Sequence, residues 1–377
     1  MKTYSYWLAL LAMLVLACDS GEEPTGDEKE TESVDADYSV LLTTDEILSS
    51  ALLNANAESI GINPGTIPFS NSAAPELSYK EEKLWGFLTA DSDCSAIIRK
   101  YDFETFESES HSVFTDPLNC NLQTRALAFG GSDYYIAYEI PGAGVGEKDY
   151  FIRALDTSGS DNTFQDIETE DAPLQMVVSG SRVFVLSQEE TDDFSLAVID
   201  RNTNAFVHEI NLDSSVLKLF KNPDGDIMVS YPSQHLIVNS QSMAITSTVR
   251  YDDGKEPKFG YKDGSFFDLP GNLYYRMPTD LDGTAYPSIP GVYDFENNTA
   301  VLYFYENFLT EEERLFEFEI EDTRTIGYDH KNNLILIGYQ KSSDQSKGGI
   351  LRIKPVPDPA FIDNIDLPGV PLEIFID

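Results

Sequence analysis

The amino-acid sequence predicts an all-β chain, a β-propeller of four-stranded blades with seven blades favoured over six. Three observations carry this expectation. From Leu77 onward apolar residues alternate with period two in short runs, and no long segment holds a clean helical stripe. The runs recur in one order: strand, tight turn, strand, variable loop, strand, turn, strand. First strands begin near Leu77, Arg125, Pro173, Val216, Lys258, Arg324 and Pro371, a spacing of about 42 to 66 residues that mostly falls in the roughly 40–50 of propeller repeats. Small sheets repeated at that period bury both faces most simply when arranged radially.

The units follow in order. LSYKEEKLWGFL, SAIIRKYDF and HSVFT open the series. TRALAFGGSDYYIAYEI, from Thr124, gives the next hairpin, turning at Gly130-Gly131, and DYFIRALD gives its third strand. The clearest unit runs from Pro173 to Leu212, with turns at Ser179-Gly180-Ser181 and at Asp200 to Asn204. VLKLFKNPDGDIMVSY follows from Val216. A looser unit spans Lys258 to Tyr305, with GVYDFENNTAVLYFY as its outer hairpin and an enlarged loop between its halves. RTIGYDHKNNLILIGY, GGILRIKP and AFIDNIDL form the next. PLEIFID, Pro371 to Asp377, reads as a first strand without a hairpin partner, and YSVLLTT, Tyr38 to Thr44, as an orphan strand. Pairing the two in one blade closes a seven-bladed ring and hides two edges; in a six-bladed ring PLEIFID pairs with KLWGFL instead.

The first thirty residues give an address. Lys2 precedes the apolar run WLALLAMLVL, too short for the roughly 20 residues of a membrane span and suited to a signal-peptide core. Val15-Leu16-Ala17-Cys18 resembles the lipobox of bacterial lipoproteins, which implies that Cys18 is the lipid acceptor. Two or three acyl chains anchor firmly without spanning. The next residues, DSGEEPTGDEKETESVDAD, have the polar, acidic composition of a disordered tether. The expected organisation is therefore a signal peptide over 1–17, a tether over 18–36 and the propeller over 37–377.

Charge narrows the partners. With 25 basic and 65 acidic residues the formal net charge is −40, which repels phosphate backbones and anionic headgroups and disfavours nucleic-acid binding. It favours neutral or cationic partners. Besides Cys18 the cysteines are Cys94 and Cys120, an even pair in an exported chain and so a candidate disulfide. It closes a loop of about 26 residues, worth on the order of 3 kcal/mol; two separate buried thiols are the alternative.

Few motifs carry chemistry. Asp224-Gly225-Asp226, Asp252-Asp253-Gly254 and Asp280-Leu281-Asp282-Gly283 each resemble half of a calcium site. Aspartate-glycine is also common turn chemistry between strands, and that reading is preferred. His111, His208, His235 and His330 lack metal-ligand spacing. No nucleophile elbow, zinc-protease motif or phosphate loop occurs, so neither an enzyme nor a cofactor is expected. Aromatics are abundant, with 20 Tyr and 22 Phe, most of them suited to strands. GNLYYRMPTDLDGTAYPSIPGVY stands apart, offering Tyr274, Tyr275, Arg276 and Tyr286 as candidate ligand-binding residues in an enlarged loop. A loop that covers its own core is the other reading, and for these four residues it is preferred.

The lipobox, the acidic tether, YSVLLTTDEILSSAL and the blade repeats together resemble seven-bladed propeller lipoproteins of unassigned function from Gram-negative bacteria. Leu42-Thr43-Thr44 and Ser49-Ser50-Ala51 match the extended Leu-Thr-Thr strand and polar-small stretch with which that family's propeller begins. ESIGINPGTIPFSNS stands where the family has an aromatic-basic segment. Some relatives serve TonB-dependent outer-membrane transporters by capturing iron-siderophore complexes or cobalamin. The resemblance implies a lipid-anchored outer-membrane protein, exposed on the cell surface, that binds a small neutral or cationic chelate. The alternatives are a protein-interaction scaffold of the envelope and a glycan-acting hydrolase or lyase.

Overall fold

The computed structural model describes residues 35–65, 67–90, 95–115, 120–159, 161–189, 192–260, 264–279 and 284–377. Cys18, Cys94 and the Asp280–Gly283 turn lie outside them. The described strands form seven four-stranded antiparallel sheets arranged as blades of a ring. Blade 1 begins at Leu77, because the three strands before it belong to blade 7. In chain order these are β1 (Ala36–Thr44), β2 (Ile47–Ala55) and β3 (Ile60–Pro64).

Blade 1 consists of β4 (Leu77–Glu81), β5 (Leu84–Ala90), β6 (Ala96–Asp102) and β7 (Ser108–Phe114). Blade 2 is β8 (Gln123–Gly130), β9 (Asp133–Pro141), β10 (Lys148–Asp156) and β11 (Thr163–Thr169); blade 3 is β12 (Ala172–Ser179), β13 (Arg182–Gln188), β14 (Phe194–Asp200) and β15 (Ala205–Leu212). Blade 4 is β16 (Lys218–Lys221), β17 (Ile227–Ser230), β18 (Gln234–Val238) and β19 (Ile245–Arg250). Blade 5 is β20 (Phe266–Phe267), β21 (Leu273–Pro278), β22 (Ser288–Asp294) and β23 (Thr299–Leu302). Blade 6 is β24 (Ile320–Asp329), β25 (Leu334–Lys341), β26 (Gly348–Lys354) and β27 (Ala360–Leu367), and β28 (Val370–Ile376) is the innermost strand of blade 7.

The ring closes as the sequence predicts. β28 pairs antiparallel with β1, from Tyr38 opposite Ile376 to Thr43 opposite Val370. The N-terminal share of that blade is larger than the orphan strand expected, because β1 turns into β2 and β3. Buried polar groups lock the junction. The Tyr38 hydroxyl donates to the Asp329 carboxylate of blade 6. Arg352, fully buried, forks onto Asp363 at 2.8 and 2.6 Å and donates to Asn56 O. Such bidentate pairs are the strong ones, and removing one partner strands a buried charge.

Between blades the packing is apolar, as period-two alternation requires. Met176, Val178, Val183 and Val185 of blade 3 pack with Ala126, Tyr135 and Ile152 of blade 2. At the blade 7–1 junction Phe375 stacks on Phe103 at 3.8 Å between ring centres. Along the axis Lys80 donates to Glu373 at 2.8 Å, tying blade 1 to blade 7. Glu81 of blade 1 pairs with Lys221 of blade 4. These blades are not neighbours in the ring, so this pair spans the central channel.

Two elements depart from expectation. The innermost strand of blade 5 is only Phe266–Phe267, not a strand from Lys258; Lys258 itself takes a φ of 49°, which a strand does not accept. Blade 6 begins at Ile320, before Arg324, because its innermost strand carries two bulges.

Candidate binding cleft at blades 6 and 7

The residues nominated from the sequence come together around blade 5, but as core rather than as an open loop. Tyr274, Tyr275 and Arg276 lie in β21, bonded on both sides to β20 and β22, and Tyr286 precedes β22. All four are buried, Arg276 at 9% exposure being the most accessible. Alternation sends Tyr274 and Arg276 to one face of the blade and Tyr275 to the other. Tyr274 is stacked between Phe266 at 4.8 Å and Tyr328 of blade 6 at 5.1 Å. Tyr275 packs edge-on to Phe259 at 5.0 Å. Tyr286 meets Tyr305 edge-on at 4.8 Å, and the Arg314 guanidinium donates to its hydroxyl at 3.4 Å. Burial pushes the phenols of Tyr274, Tyr275 and Tyr286 above the ordinary tyrosine range. The sequence placed these residues in an enlarged loop of an irregular unit; the structure places three of them in the paired strand β21.

Arg276 links this core to the face of the ring on which the innermost strands begin. It donates to Asp322 Oδ2 at 3.1 Å, while Ser288 Oγ donates to Asp322 Oδ1 at 2.6 Å. Thr323 Oγ1 donates to Ser288 O at 3.0 Å and is also bonded to the Tyr305 hydroxyl at 2.8 Å. Both oxygens of Asp322 are thus engaged. Arg324, one step along, stands 3.9 Å from Asp322 with its side chain 40% exposed. That distance is beyond a hydrogen bond.

Arg324 sits on a β-bulge, which leaves one residue unpaired and re-aims its side chain. The pairing passes from Thr323 opposite Tyr339 directly to Thr325 opposite Gly338. The innermost strands of blades 2, 3 and 7 also bulge, leaving out Arg125, Leu174 and Leu372. Arg125 is neutralised, since its guanidinium and the Lys148 ammonium both grip Glu139. Burial alone would raise the Glu139 carboxyl, but those two cations outweigh it and hold the group below the usual carboxylate range.

In blade 6 the bulge turns Arg324 into a cleft of about 280 Å³ between blades 6 and 7. Its walls also carry Thr43, Asp45, Glu46, Gln340, Gln345 and Ser346. Asp45 and Glu46 form the two-residue turn between β1 and β2, with φ of 49° and 63°. Such a turn normally takes Asn-Gly, so two carboxylate residues in left-handed conformations are strained and held from outside. Ala74 N donates to Glu46 O at 2.6 Å, and Leu48 N to Ser72 O at 2.8 Å. The segment supplying these bonds is anchored by Phe69, whose ring lies 5.6 Å from Trp85 and 4.9 Å from Phe87. Where β28 begins beside this turn, a Cβ on Gly369 would fall 2.7 Å from Thr44 Oγ1 and 3.0 Å from Leu42 Cβ, a close approach that suits glycine. In the sequence Thr43 and Thr44 figure only as part of an extended strand and Arg324 only as the start of a repeat, and nothing there marks them as lining a cleft.

A second, outer cleft of about 460 Å³ lies beside blades 5 and 6, with Glu306, Phe308, Leu309, Thr310, Glu313 and Phe361 among its walls. The two described aspartate-glycine segments, at Asp224–Asp226 and Asp252–Gly254, form turns. Asp226 Oδ1 accepts from Asn239 Nδ2 and Ser240 N, each at 3.0 Å, and Asp252 pairs with Lys255 at 3.0 Å. Among the described residues no group of three His, Cys, Asp or Glu is placed to hold a metal. Cys120 is disulfide-bonded; Cys94, its expected partner, lies outside the described residues.

No protein-family model matches the chain, and no curated protein matches it. Solved structures do. A "putative 6-phosphogluconolactonase" from Bacteroides uniformis aligns over 90% of this chain and 99% of its own, with a TM-score of 0.54 and 12% identity. A second protein described in the same words, from Bacteroides fragilis, aligns over 92% and 99% with a TM-score of 0.52 and 13% identity. These likenesses show the fold. At such identity they transfer no chemistry to this chain.

Proposed function

We propose that the chain is a lipid-anchored protein of the outer membrane that binds a small polar ligand, an iron-siderophore or similar chelate, for a TonB-dependent transporter, and does not transform it. The observation that carries this reading is the cleft between blades 6 and 7. It is polar, it lies on the face where innermost strands begin, and it is built from four separate stretches of chain on a rigid ring. Gln340, Gln345, Ser346 and Thr43 offer neutral donors and acceptors, and Asp45 and Glu46 bring negative charge. That lining suits a neutral or cationic ligand, which a net charge of −40 also steers inward. The lipobox at Cys18 supports the address.

The test is a thermal-shift series on the full chain in mild detergent with ferric hydroxamates, ferric catecholates and cobalamin. A ligand held by the folded state alone raises the unfolding temperature by mass action, about 2.7 kcal/mol at a hundredfold excess over Kd. The expected result is a shift with a neutral or cationic chelate that Gln345→Ala reduces. No shift with any chelate removes the proposal. A second reading, an envelope scaffold, is favoured by Phe164, Phe206, Val207 and Ile245, exposed on the outermost strands of blades 2, 3 and 4; loss of a cross-linked envelope partner in Phe206→Ser would select it.

A further inference from the structure

We infer that the cleft between blades 6 and 7 recognises a zwitterion, a ligand carrying a carboxylate and an ammonium group on one small molecule. The inference rests on the binding reading above and goes further by naming the charges the ligand must bear. Three charged side chains line the cleft: Arg324 from blade 6, and Asp45 and Glu46 from blade 7. Arg324 donates no hydrogen bond among the described residues, because the nearest carboxylate, Asp322, is already held by Arg276 and Ser288. The buried Arg276–Asp322 pair cancels its own charge and leaves the Arg324 guanidinium positive toward the cleft. Asp45 and Glu46 are exposed, and no other described residue meets their carboxylates.

One wall therefore offers a planar fork of donors suited to a carboxylate. The blade 7 side offers two carboxylates suited to an ammonium group. Both walls are fixed, the first by a bulge in a paired strand and the second by a turn held from segment 67–74. Fixed opposite charges in an open polar cleft discriminate by pairing: a ligand that lacks one of its charges forgoes the ion pair with one side of the cleft. The sum of the three charges is −1, which matches a ligand of zero or +1 net charge and the field of the whole chain. Free-ended peptides and peptide-derived chelates have this chemistry.

The experiment is calorimetric titration of the full chain in detergent with a pool of tripeptides in three forms: free-ended, C-terminally amidated and N-terminally acetylated. The free form is expected to bind at least tenfold more tightly than either blocked form. Arg324→Gln should erase the advantage over the amide, and the double change Asp45→Asn with Glu46→Gln the advantage over the acetylated form. All three positions are solvent-exposed or partly so, and unchanged melting of each variant verifies the fold. Equal binding of the free and blocked forms overturns the zwitterion inference while leaving the cleft a binding site. Binding of chelates but of no peptide form, unaffected by Arg324→Gln, also overturns it. Silence toward peptides and chelates alike removes both readings.

Discussion

Blades 3 and 5 solve the same packing problem by different means. Blade 3 has four full strands, joined at one end by a two-residue turn in which Gly180 takes a φ of 55°. Its face toward blade 2 is aliphatic, with Met176, Val178, Val183, Val185 and Ile199 filling the junction. Blade 5 has a two-residue innermost strand and a four-residue outermost one. What it lacks in backbone pairing it makes up in rings: Phe259, Tyr274, Tyr275, Tyr293, Tyr303 and Tyr305 share one core, each able to bury roughly 150–250 Å². Large rings bring polar atoms inside, and those must find partners. The irregular blade is consequently the one whose Arg276 reaches across to Asp322 of blade 6, beside the cleft.

The largest expected difference between the two blades lies in their arginines. Arg276→Ala leaves the part-buried Asp322 without its hydrogen-bonded cation, with only Arg324 nearby at 3.9 Å, and should cost about 3 kcal/mol. Arg182→Ala in blade 3 removes a more exposed partner of Asp200, with 21% of its side chain accessible, and should cost about 1 kcal/mol. Denaturant midpoints of the two variants measure this directly, and equal losses would break the comparison.

Next in size is a pH effect where blade 4 meets the aromatic core. The His235 ring lies 5.5 Å from Tyr251 and 5.3 Å from Phe295, and burial holds its pKa down at about 4. The unfolded chain takes up that proton first, near pH 6.5, so it binds more protons than the folded state between about 6.5 and 4. Stability should be untouched above that window and fall as pH drops through it, by at most about 3 kcal/mol. Melting curves of His235→Gln against the parent chain isolate this contribution. A pH-independent separation of the two would show that His235 does not titrate in this way.

The smallest effects sharpen the contrast within blade 5 and its connection to blade 6. The Tyr275 hydroxyl is buried with no hydrogen-bond partner among the described residues, so Tyr275→Phe should be neutral or stabilising by a few tenths of a kcal/mol. The Tyr305 hydroxyl is bonded to Thr323, and Tyr305→Phe should cost about 1 kcal/mol. Chemical unfolding of the two variants should give opposite signs or a clear gap.

Legibility followed the range of the interactions. The repeat, the hairpin turns and the pairing of PLEIFID with YSVLLTT could be read because alternation and turn chemistry are local. The β1–β2 hairpin was missed because its turn is Asp45-Glu46, where Asn-Gly would have announced it. Tyr274, Tyr275 and Arg276 were correctly found to be unusual and wrongly placed in a loop. Their role depends on Phe266, Tyr328 and Asp322, and the last two belong to another blade. Arg324 marked the start of a repeat in the sequence, with nothing to reveal the bulge that turns it into the cleft.

By itself the sequence determined the class of fold, the unit that repeats and the way the ends meet, since strand alternation and tight turns are set by residues within a few positions of one another. The tertiary structure decided which polar residues are core and which line a cleft. That choice rests on contacts between blades, where bulges, close glycines and buried ion pairs join residues hundreds of positions apart, as Tyr38 and Asp329 are joined at the closure of the ring.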